Sequence, residues 1–165
     1  MEGAKVRRRV MIVDDEAGVR MSVCMALKDS FDPIAVESAP QALELLATTP
    51  VDVLLLDIVM PGVDGMQLLE ELRTRYPQLP VVMLTATKTV KTAVDAMRLG
   101  AFDFVPKPFD VDELRVTLEK ATENAALVRE VEELRTEVGK RYQIENIIGR
   151  APKMQEIFKT VLMVA

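Results

Sequence analysis

The sequence has 165 residues, of which 49% are hydrophobic and 28% charged, a balance typical of a folded globular chain. The formal net charge of -5 argues against nucleic acid as a partner of this segment, and no apolar run approaches the ~20 residues of a membrane span. The single cysteine, Cys24, fits a cytoplasmic location, and the absence of histidine excludes the usual zinc sites and Ser-His or Cys-His catalysis. Any chemistry must therefore use carboxylates, lysine and hydroxyl groups.

Five short apolar segments alternate with helical patterns along most of the chain. Apolar residues at four-residue spacing between them, such as Val19 and Val23, indicate helices. Strands that alternate with helices predict βαβ units, and hence an α/β fold with a doubly wound, five-stranded parallel sheet covered on both faces. The predicted strands are Arg9–Val13, Pro33–Glu37, Val51–Asp57, Pro80–Thr85 and Ala101–Pro106.

Three of the predicted helices begin with a capping signal. In each, a residue that favours the N-cap position is followed three residues later by a glutamine or glutamate, the spacing of a capping box. These pairs are Ser38 with Gln41, Asp64 with Gln67, and Asp110 with Glu113.

The segment from Asp110 to about Val138 contains no proline or glycine and is longer than the last helix of one domain requires. Its apolar residues step by four and three, so we predict a helix that leaves the domain, pairs with a partner helix as a short coiled coil, and ends at Gly139. A long surface helix folded back on its own domain is the alternative. Leu127 belongs to a shifted frame of the same stripe. The predicted dimer seam consists of Leu114, Leu118, Ala121, Ala125, Val128, Val131, Leu134 and Val138.

Polar residues stand at the carboxyl ends of four predicted strands: Asp14 and Asp15, Asp57, Thr85, and Lys107. In a parallel sheet these ends share one rim. Clustered carboxylates repel unless a cation compensates them, and all-oxygen ligation suits Mg²⁺. A carboxylate can also act as a nucleophile and form an aspartyl phosphate, while an ammonium and a hydroxyl stabilise the phosphoryl oxygens.

Each of these residues alone has an ordinary structural interpretation. Asp14 and Asp15 could cap the next helix, Asp57 could be a strand-end turn residue, and Lys107 a solvated lysine. Phe104 could belong simply to the core. Only their joint occurrence at one rim favours the functional interpretation.

Four segments occur in order at the strand ends: Val-Asp-Asp-Glu, Leu-Asp-Ile-Val-Met-Pro-Gly-Val-Asp-Gly, Leu-Thr-Ala and Val-Pro-Lys-Pro-Phe. Together they resemble the receiver domain of two-component response regulators, the CheY-like fold, over about residues 8 to 125. The resemblance implies strand order 2-1-3-4-5 and a regulatory phosphoacceptor rather than an enzyme. It implies that a sensor histidine kinase phosphorylates Asp57. It also implies Mg²⁺ on Asp15, Asp57 and the backbone carbonyl of Val59, with Asp14 acting through water.

The same resemblance assigns roles around the phosphoryl group. It makes Lys107 the phosphate-binding lysine, joined to Pro108 by a cis peptide bond. It makes Thr85 a second phosphate contact and, with Phe104, the switch pair. It implies a homodimer through the linker helix, through the face formed by the fourth helix, fifth strand and fifth helix, or through both.

The end of the sequence has its own resemblance. Residues 145–165 look like the opening of the AAA+ ATPase domain in sigma-54-dependent activators of the NtrC type, without its Walker motifs. The implied organisation is a receiver domain at 8–125, a helical coiled-coil linker at 126–144 and a truncated ATPase start at 145–165. ATP, DNA and sigma-54 RNA polymerase would then be partners of parts outside this sequence.

Two other functions stay open from the residues. One is a receiver-like dimerisation module that is never phosphorylated. The other is an aspartyl-phosphate enzyme of the haloacid-dehalogenase type, which also combines Asp, Mg²⁺, Thr and Lys. In that class the nucleophile usually ends the first strand in an Asp-x-Asp pattern, whereas Asp14 and Asp15 are adjacent and Asp57 ends the third strand.

Overall fold

A computed structural model describes residues 6–86 and 90–150, with side chains described as far as residue 143. Its five strands lie within two residues of the predicted bounds: β1 Arg9–Val13, β2 Asp32–Val36, β3 Val53–Asp57, β4 Val81–Thr85 and β5 Asp103–Pro106. The helices between and after them are α1 Ala17–Leu27, α2 Ala39–Thr48, α3 Gly65–Arg75, α4 Val90–Arg98 and α5 Val111–Arg150.

The strands form one parallel sheet in the order β2-β1-β3-β4-β5. This confirms the α/β fold class and the strand order that the resemblance implied. All five residues of the central strand β3 are buried, because helices cover a parallel sheet on both faces. The order reverses between β1 and β3, and open α/β sheets bind their ligands beside such a switch point.

Alternating residues of each strand supply two separate cores. On one face, Ile12 and Leu55 of the sheet pack with residues of α1 and α5. On the other face, Met11 and Leu54 pack with residues of α2 and α3, and with Ala96 of α4. The period-two alternation of strand side chains therefore fixes the register of the whole sheet.

The predicted capping residues are present at three helix starts. The Ser38 hydroxyl accepts a hydrogen bond from the N–H of Gln41 at 3.5 Å. Asp64 and Gln67 form a complete capping box at the start of α3. The Asp110 carboxylate accepts from two N–H groups in the first turn of α5, at 2.8 and 3.1 Å. These bonds satisfy donors that a helix start otherwise leaves unpaired.

The prediction that the last helix ends at Gly139 is wrong, because α5 continues to Arg150. One glycine inside a helix costs only about 1 kcal/mol relative to alanine, which the helix-favouring residues around it offset. The predicted ATPase start at 145–165 lies outside the described side chains, and outside the described backbone from residue 151 onward.

The first half of the predicted dimer seam is also wrong. Leu114, Leu118 and Ala121 are fully buried and pack against the sheet of their own chain, and Ala125 is 7% exposed. The stripe continues without interruption in the sequence, so its core-facing start could not be told from a partner-facing seam. For these residues the alternative of a helix folded on its own domain holds.

The remaining seam residues have a different environment. Val128, Val131, Leu134 and Val138 are between 44% and 54% exposed, and Leu127 is 61% exposed. The chain divides into two compact units, with the first ending at Ala125 and the second beginning at Ala126. Among the described residues, no helix is both long and apolar enough to cross a lipid bilayer.

Candidate functional site at the carboxyl ends of the strands

The carboxyl ends of β1, β3, β4 and β5 place the predicted site residues along one rim of the sheet. Asp57 is the last residue of β3 and is 3% exposed, and Thr85 is the last residue of β4 and is also 3% exposed. Asp14 follows β1 and is fully buried, and Lys107 follows β5. Four separate strands therefore bring these side chains to the same edge.

Lys107 joins the two buried carboxylates. Its Nζ donates to Asp14 Oδ2 at 2.8 Å and lies 3.4 Å from Asp57 Oδ2. The lysine side chain is 16% exposed, and the two carboxylates are 0% and 5% exposed. The interpretation of Lys107 as an ordinary solvated lysine is thus wrong, because most of its side chain is buried and its ammonium group contacts two carboxylates.

Three carboxylates gather beside this ammonium. One oxygen each from Asp14, Asp15 and Asp57 lies within 4.8 Å of the others. Asp15 is exposed, so the cluster is open to solvent on its side and closed at Asp14 and Asp57. A cluster of hard oxygen donors with one open side matches the way Mg²⁺ is held, by one or two carboxylates with several retained waters.

Burial raises the pKa of the Asp57 carboxyl above its ordinary value, because desolvation disfavours the charged form. Lys107 opposes the shift and the neighbouring charge of Asp14 adds to it. For Lys107, burial is the largest single influence and lowers the pKa, but the hydrogen bonds and charges of Asp14 and Asp57 together outweigh it and raise the pKa. The Lys107 ammonium therefore stays charged through neutral pH, whereas burial destabilises the ionised form of Asp57.

Asp14 is fixed from several directions. Its Oδ1 accepts from the N–H of Glu16 at 2.8 Å, and its carbonyl accepts from the Arg20 guanidinium at 2.7 Å. Arg20 also lies 3.8 Å from a carboxylate oxygen of Glu37. The N-cap of α1 is Glu16, which makes no side-chain capping bond, so the interpretation of Asp14 and Asp15 as the capping pair is wrong.

The chain after Asp57 turns tightly into α3. The N–H of Val59 donates to Asp57 Oδ1 at 3.4 Å, and the N–H of Gly65 donates to the carbonyl of Ile58 at 2.9 Å. A Cβ on Gly65 would overlap the Asp57 carbonyl oxygen and lie 2.8 Å from the Ile58 Cα. Only glycine lets α3 begin this close to the strand end. The predicted Mg²⁺ contact of the Val59 carbonyl stays a prediction.

Thr85 and Phe104 lie on neighbouring strands and on the same face of the sheet. In the register of β4 and β5, Thr85 is opposite Pro106 and Met83 is opposite Phe104, so the two side chains are diagonal neighbours. Thr85 is buried, whereas Phe104 is 39% exposed, which shows that Phe104 is not a plain core residue.

The backbone around Lys107 ties the fifth strand to this edge of the sheet. The N–H of Lys107 donates to the carbonyl of Thr85 at 2.6 Å, which holds the start of the β5–α5 loop against the end of β4. The Lys107–Pro108 peptide bond is cis, as the resemblance implied.

Sequence reasoning missed two residues that shape this site. Gly65 could have been recognised, because a glycine directly after a helix N-cap and close to a strand end suggests a close backbone approach. Arg20 offered no such signal. It is one of many cations in the chain, and only the structure brings its guanidinium to the backbone of Asp14.

Comparison with known proteins agrees with this geometry. The family model described as the response regulator receiver domain matches residues 10–119. Regulatory protein AtoC of Escherichia coli K12 is 38% identical over 95% of this chain and 34% of its own length. The DNA-binding transcriptional regulator NtrC of the same organism is 39% identical over 92% of this chain and 32% of its own length. The chain thus spans about one third of the length of these relatives.

Solved structures give the same result. NtrX from Brucella abortus aligns with a TM-score of 0.75 and 34% identity over 94% of this chain and 34% of its own. The separate receiver domain of that protein aligns with a TM-score of 0.65 and 37% identity, over 69% of this chain and 98% of its own. The match to the receiver-domain model argues against the alternative of a haloacid-dehalogenase-type enzyme. This chain belongs to the response regulator receiver domain family.

Proposed function

We propose that Asp57 accepts a phosphoryl group and that the chain uses the phosphorylated state as a regulatory signal. The observation that carries the proposal is the contact of Lys107 Nζ with both buried carboxylates, 2.8 Å from Asp14 and 3.4 Å from Asp57. A transferring phosphoryl group needs positive charge beside its oxygens, and this ammonium already lies beside the proposed nucleophile.

The proposed metal is Mg²⁺, and the donor set suits it. Asp15 and Asp57 would hold the ion with the carbonyl of Val59, and Asp14 would contribute through water. The mutual distances within 4.8 Å among the three carboxylates support this assignment, since a single small dication can serve oxygens that close together. When bound, Mg²⁺ supplies charge neutralisation at the phosphoryl oxygens.

The chemistry at Asp57 is a phosphoryl transfer. A carboxylate oxygen of Asp57 forms a bond to phosphorus, while the bond from phosphorus to the donor atom breaks and the donor leaves with that electron pair. The proposed donor is a phosphohistidine of a sensor histidine kinase. Lys107 and the Thr85 hydroxyl then donate hydrogen bonds to the phosphoryl oxygens.

The proposed switch consists of Thr85 and Phe104. Movement of the Thr85 hydroxyl toward the phosphoryl group vacates space on the sheet face that Phe104 shares, and the exposed ring moves inward to fill it. The shared face and the 39% exposure of Phe104 support this proposal. The surface of α4, β5 and the start of α5 also exposes Val90, Val94, Met97 and Val116, so a change there alters an apolar surface suited to a second receiver domain.

The proposed output is control of a sigma-54-dependent transcriptional activator. The relatives AtoC and NtrC support it, because the first is a regulatory protein and the second a DNA-binding transcriptional regulator. In this proposal the receiver occupies residues 8–125, a linker helix follows at 126–144, and an ATPase domain starts at 145–165. ATP, DNA and the sigma-54 polymerase would bind parts of the protein outside this sequence.

Intact-mass measurement after treatment with acetyl phosphate and Mg²⁺ tests the phosphoacceptor assignment. We expect the chain to gain one phosphoryl group, and the Asp57→Asn variant to gain none. Asp29→Asn is the matched control, because Asp29 is an exposed carboxylate in the turn that precedes β2, at the end of the sheet opposite the carboxyl ends of the strands. Equal uptake by Asp57→Asn, or no uptake by the wild type, would contradict the proposal. The second outcome would favour a receiver-like module that is never phosphorylated.

A further inference from the structure

Arg20 lies near the start of α1 and contacts both ends of the loop that leads from β1 into this helix. Its backbone N–H donates to the Glu16 carbonyl at 3.1 Å, which is the first hydrogen bond of the helix. Its guanidinium donates to the Asp14 carbonyl at 2.7 Å. The Arg20 side chain is 17% exposed, so the guanidinium packs against the loop and does not extend into water. One residue therefore binds the backbone on both sides of Asp15.

The two peptide groups that flank Asp15 are both anchored. The peptide group before this residue contains the Asp14 carbonyl, which accepts the hydrogen bond from Arg20. The peptide group after it contains the Glu16 N–H, which donates to the Asp14 carboxylate at 2.8 Å. Because each peptide group is planar, anchoring the group on either side of a residue restricts both of its free backbone dihedrals. The backbone of Asp15 is therefore held in one direction.

This restriction matters more for Asp15 than for the other two carboxylates of the site. Asp14 and Asp57 are buried, and the Lys107 ammonium contacts the carboxylates of both. The Asp15 side chain is exposed, so packing does not hold it. One of its carboxylate oxygens nevertheless lies within 4.8 Å of oxygens of both other acids. The direction in which the backbone presents Asp15 therefore keeps its carboxylate in the cluster.

The shape of the arginine side chain suits this task. Its Nη1 donates to the Asp14 carbonyl, and its Nη2 lies 3.8 Å from a carboxylate oxygen of Glu37, which directly follows β2. The other carboxylate oxygen of Glu37 accepts from the side-chain amide of Gln41 in α2 at 3.3 Å. Glu37 is exposed, so the ion pair orients the guanidinium but contributes little free energy. A planar guanidinium can face two acceptors at once, whereas a lysine ammonium is a compact point charge.

We propose that Arg20 is a positioning residue for the divalent cation: by holding the Asp14 carbonyl it fixes the direction of Asp15 and raises the affinity for Mg²⁺. The inference rests on the proposed function, in which Asp15 and Asp57 hold the ion. Arg20 itself touches neither the ion nor the phosphoryl group. Its effect has a sign that distinguishes orientation from charge, because removal of a nearby positive charge alone would strengthen the binding of a cation.

Calorimetric titration of Mg²⁺ into the full chain, without any phosphoryl donor, tests the proposal. Arg20→Met keeps an unbranched side chain and removes the hydrogen-bond donors, and its dissociation constant for Mg²⁺ should rise roughly tenfold, as is usual when a residue that orients a metal ligand is lost. Arg20→Lys keeps a charge and a donor, and its affinity should lie between those of the two other proteins. Unchanged or tighter binding by Arg20→Met would overturn the proposal. If Arg20→Met does not fold, wild-type affinity in Arg20→Lys would overturn it.

Arg115→Met is the matched control for a general loss of stability. Arg115 is also a helix arginine that donates to a backbone carbonyl of another element, that of Ala26 at 3.4 Å, and it forms an ion pair with Asp112 at 3.0 Å. Urea denaturation in the presence of a chelator measures the stability of each variant. We expect Arg115→Met to bind Mg²⁺ as the wild type does. An equal loss of affinity in Arg115→Met and Arg20→Met would contradict a specific effect of Arg20.

Hydrogen exchange without metal examines the loop directly. The Glu16 N–H should exchange faster in Arg20→Met than in the wild type, because the peptide groups around Asp15 are then anchored on one side only. The Lys107 N–H, which donates to the Thr85 carbonyl in a different loop, should keep its wild-type rate. Equal protection of the Glu16 N–H in both proteins would contradict the proposed restriction.

Uptake of a phosphoryl group from acetyl phosphate, measured over a range of Mg²⁺ concentrations, separates this inference from the proposed function. In Arg20→Met the Mg²⁺ concentration for half-maximal rate should rise, and the rate at saturating Mg²⁺ should approach that of the wild type. A rate that stays low at every Mg²⁺ concentration would contradict a positioning role. Differing Mg²⁺ affinities without uptake by the wild type would remove the proposed function alone, and normal uptake with equal affinities would remove this inference alone.

Discussion

Replacing Gly65 with alanine adds one methyl group where the first turn of α3 meets the end of β3. The new Cβ would overlap the Asp57 carbonyl oxygen and lie 2.8 Å from the Ile58 Cα, and backbone atoms cannot rotate away as a side chain can. Relief of the overlap requires α3 to move and weakens the 2.9 Å hydrogen bond from the Gly65 N–H to Ile58. Overpacking costs about 1–3 kcal/mol and the hydrogen bond about 0.5–1.5 kcal/mol. The higher helix propensity of alanine offsets about 1 kcal/mol of this cost, which leaves a net loss of roughly 0.5–3.5 kcal/mol.

Urea denaturation of the two proteins, followed by circular dichroism, measures this loss directly. Gly18→Ala is the matched control, because the same methyl group is added to α1 where nothing lies within 4 Å. We expect that control to be unchanged or stabilised by up to about 1 kcal/mol. Since Gly65 also supports the backbone of Asp57, phosphate uptake from acetyl phosphate should slow in Gly65→Ala and not in Gly18→Ala. A Gly65→Ala protein as stable as the wild type would contradict the expected clash at the end of β3.

Three further perturbations test the charges and the corrected helix assignment. The raised pKa of Asp57 means that the folded protein holds this proton more tightly than the unfolded chain, so stability falls as pH rises from 3.8 through the folded pKa. Asp57→Asn should therefore unfold at higher urea than the wild type at pH 7 without divalent cations, with the difference fading toward pH 3.8; a constant difference would contradict the sign. Lys107→Met leaves two buried carboxylates without their cation and should destabilise the fold by about 3 kcal/mol at pH 7, less when Mg²⁺ is present; thermal unfolding with and without Mg²⁺ measures both. Leu118→Ala should lower the stability of the monomer by about 2–5 kcal/mol, and Leu134→Ala should leave it almost unchanged, because the first side chain is fully buried and the second is 54% exposed. Equal losses of stability in urea denaturation would indicate that Leu118 belongs to the dimer seam and not to the core.

Much of the fold follows from local rules that a single sequence displays. Short apolar segments, which form the five strands, alternate in the sequence with segments of helical periodicity. Ser38, Asp64 and Asp110 mark helix starts because their side chains accept hydrogen bonds from N–H groups of the first turn. The positions of Asp57, Thr85 and the residues beside them follow from the general rule that parallel strands end at one rim. Strand order did not follow from such rules and came from the family resemblance.

The errors have a common physical origin. Leu118 and Leu134 belong to one helical stripe, and periodicity records only that a face is apolar, not which surface covers it. Gly139 is a helix-ending residue by statistics, but its neighbours continue the helix through it. The contact of Arg20 with the Asp14 backbone depends on how α1 packs, a relation between elements that no local pattern contains.

The hydrogen bonds around the end of β3 have a consequence for the proposed phosphoryl transfer. The N–H of Ile58 donates to the carbonyl of Leu84 at 3.0 Å, and Gly65 closes the loop onto Ile58, so the backbone that carries Asp57 is held on both sides. In the proposed reaction the donor must approach Asp57, because the backbone of this residue is held in place and its carboxylate shows only a few per cent of its surface. The first surface that an approaching donor meets is instead the exposed Asp15 and the 63% exposed Val59. In the proposed reaction the Val59 side chain is therefore placed to select among donors, because only the backbone carbonyl of this residue is proposed to bind Mg²⁺.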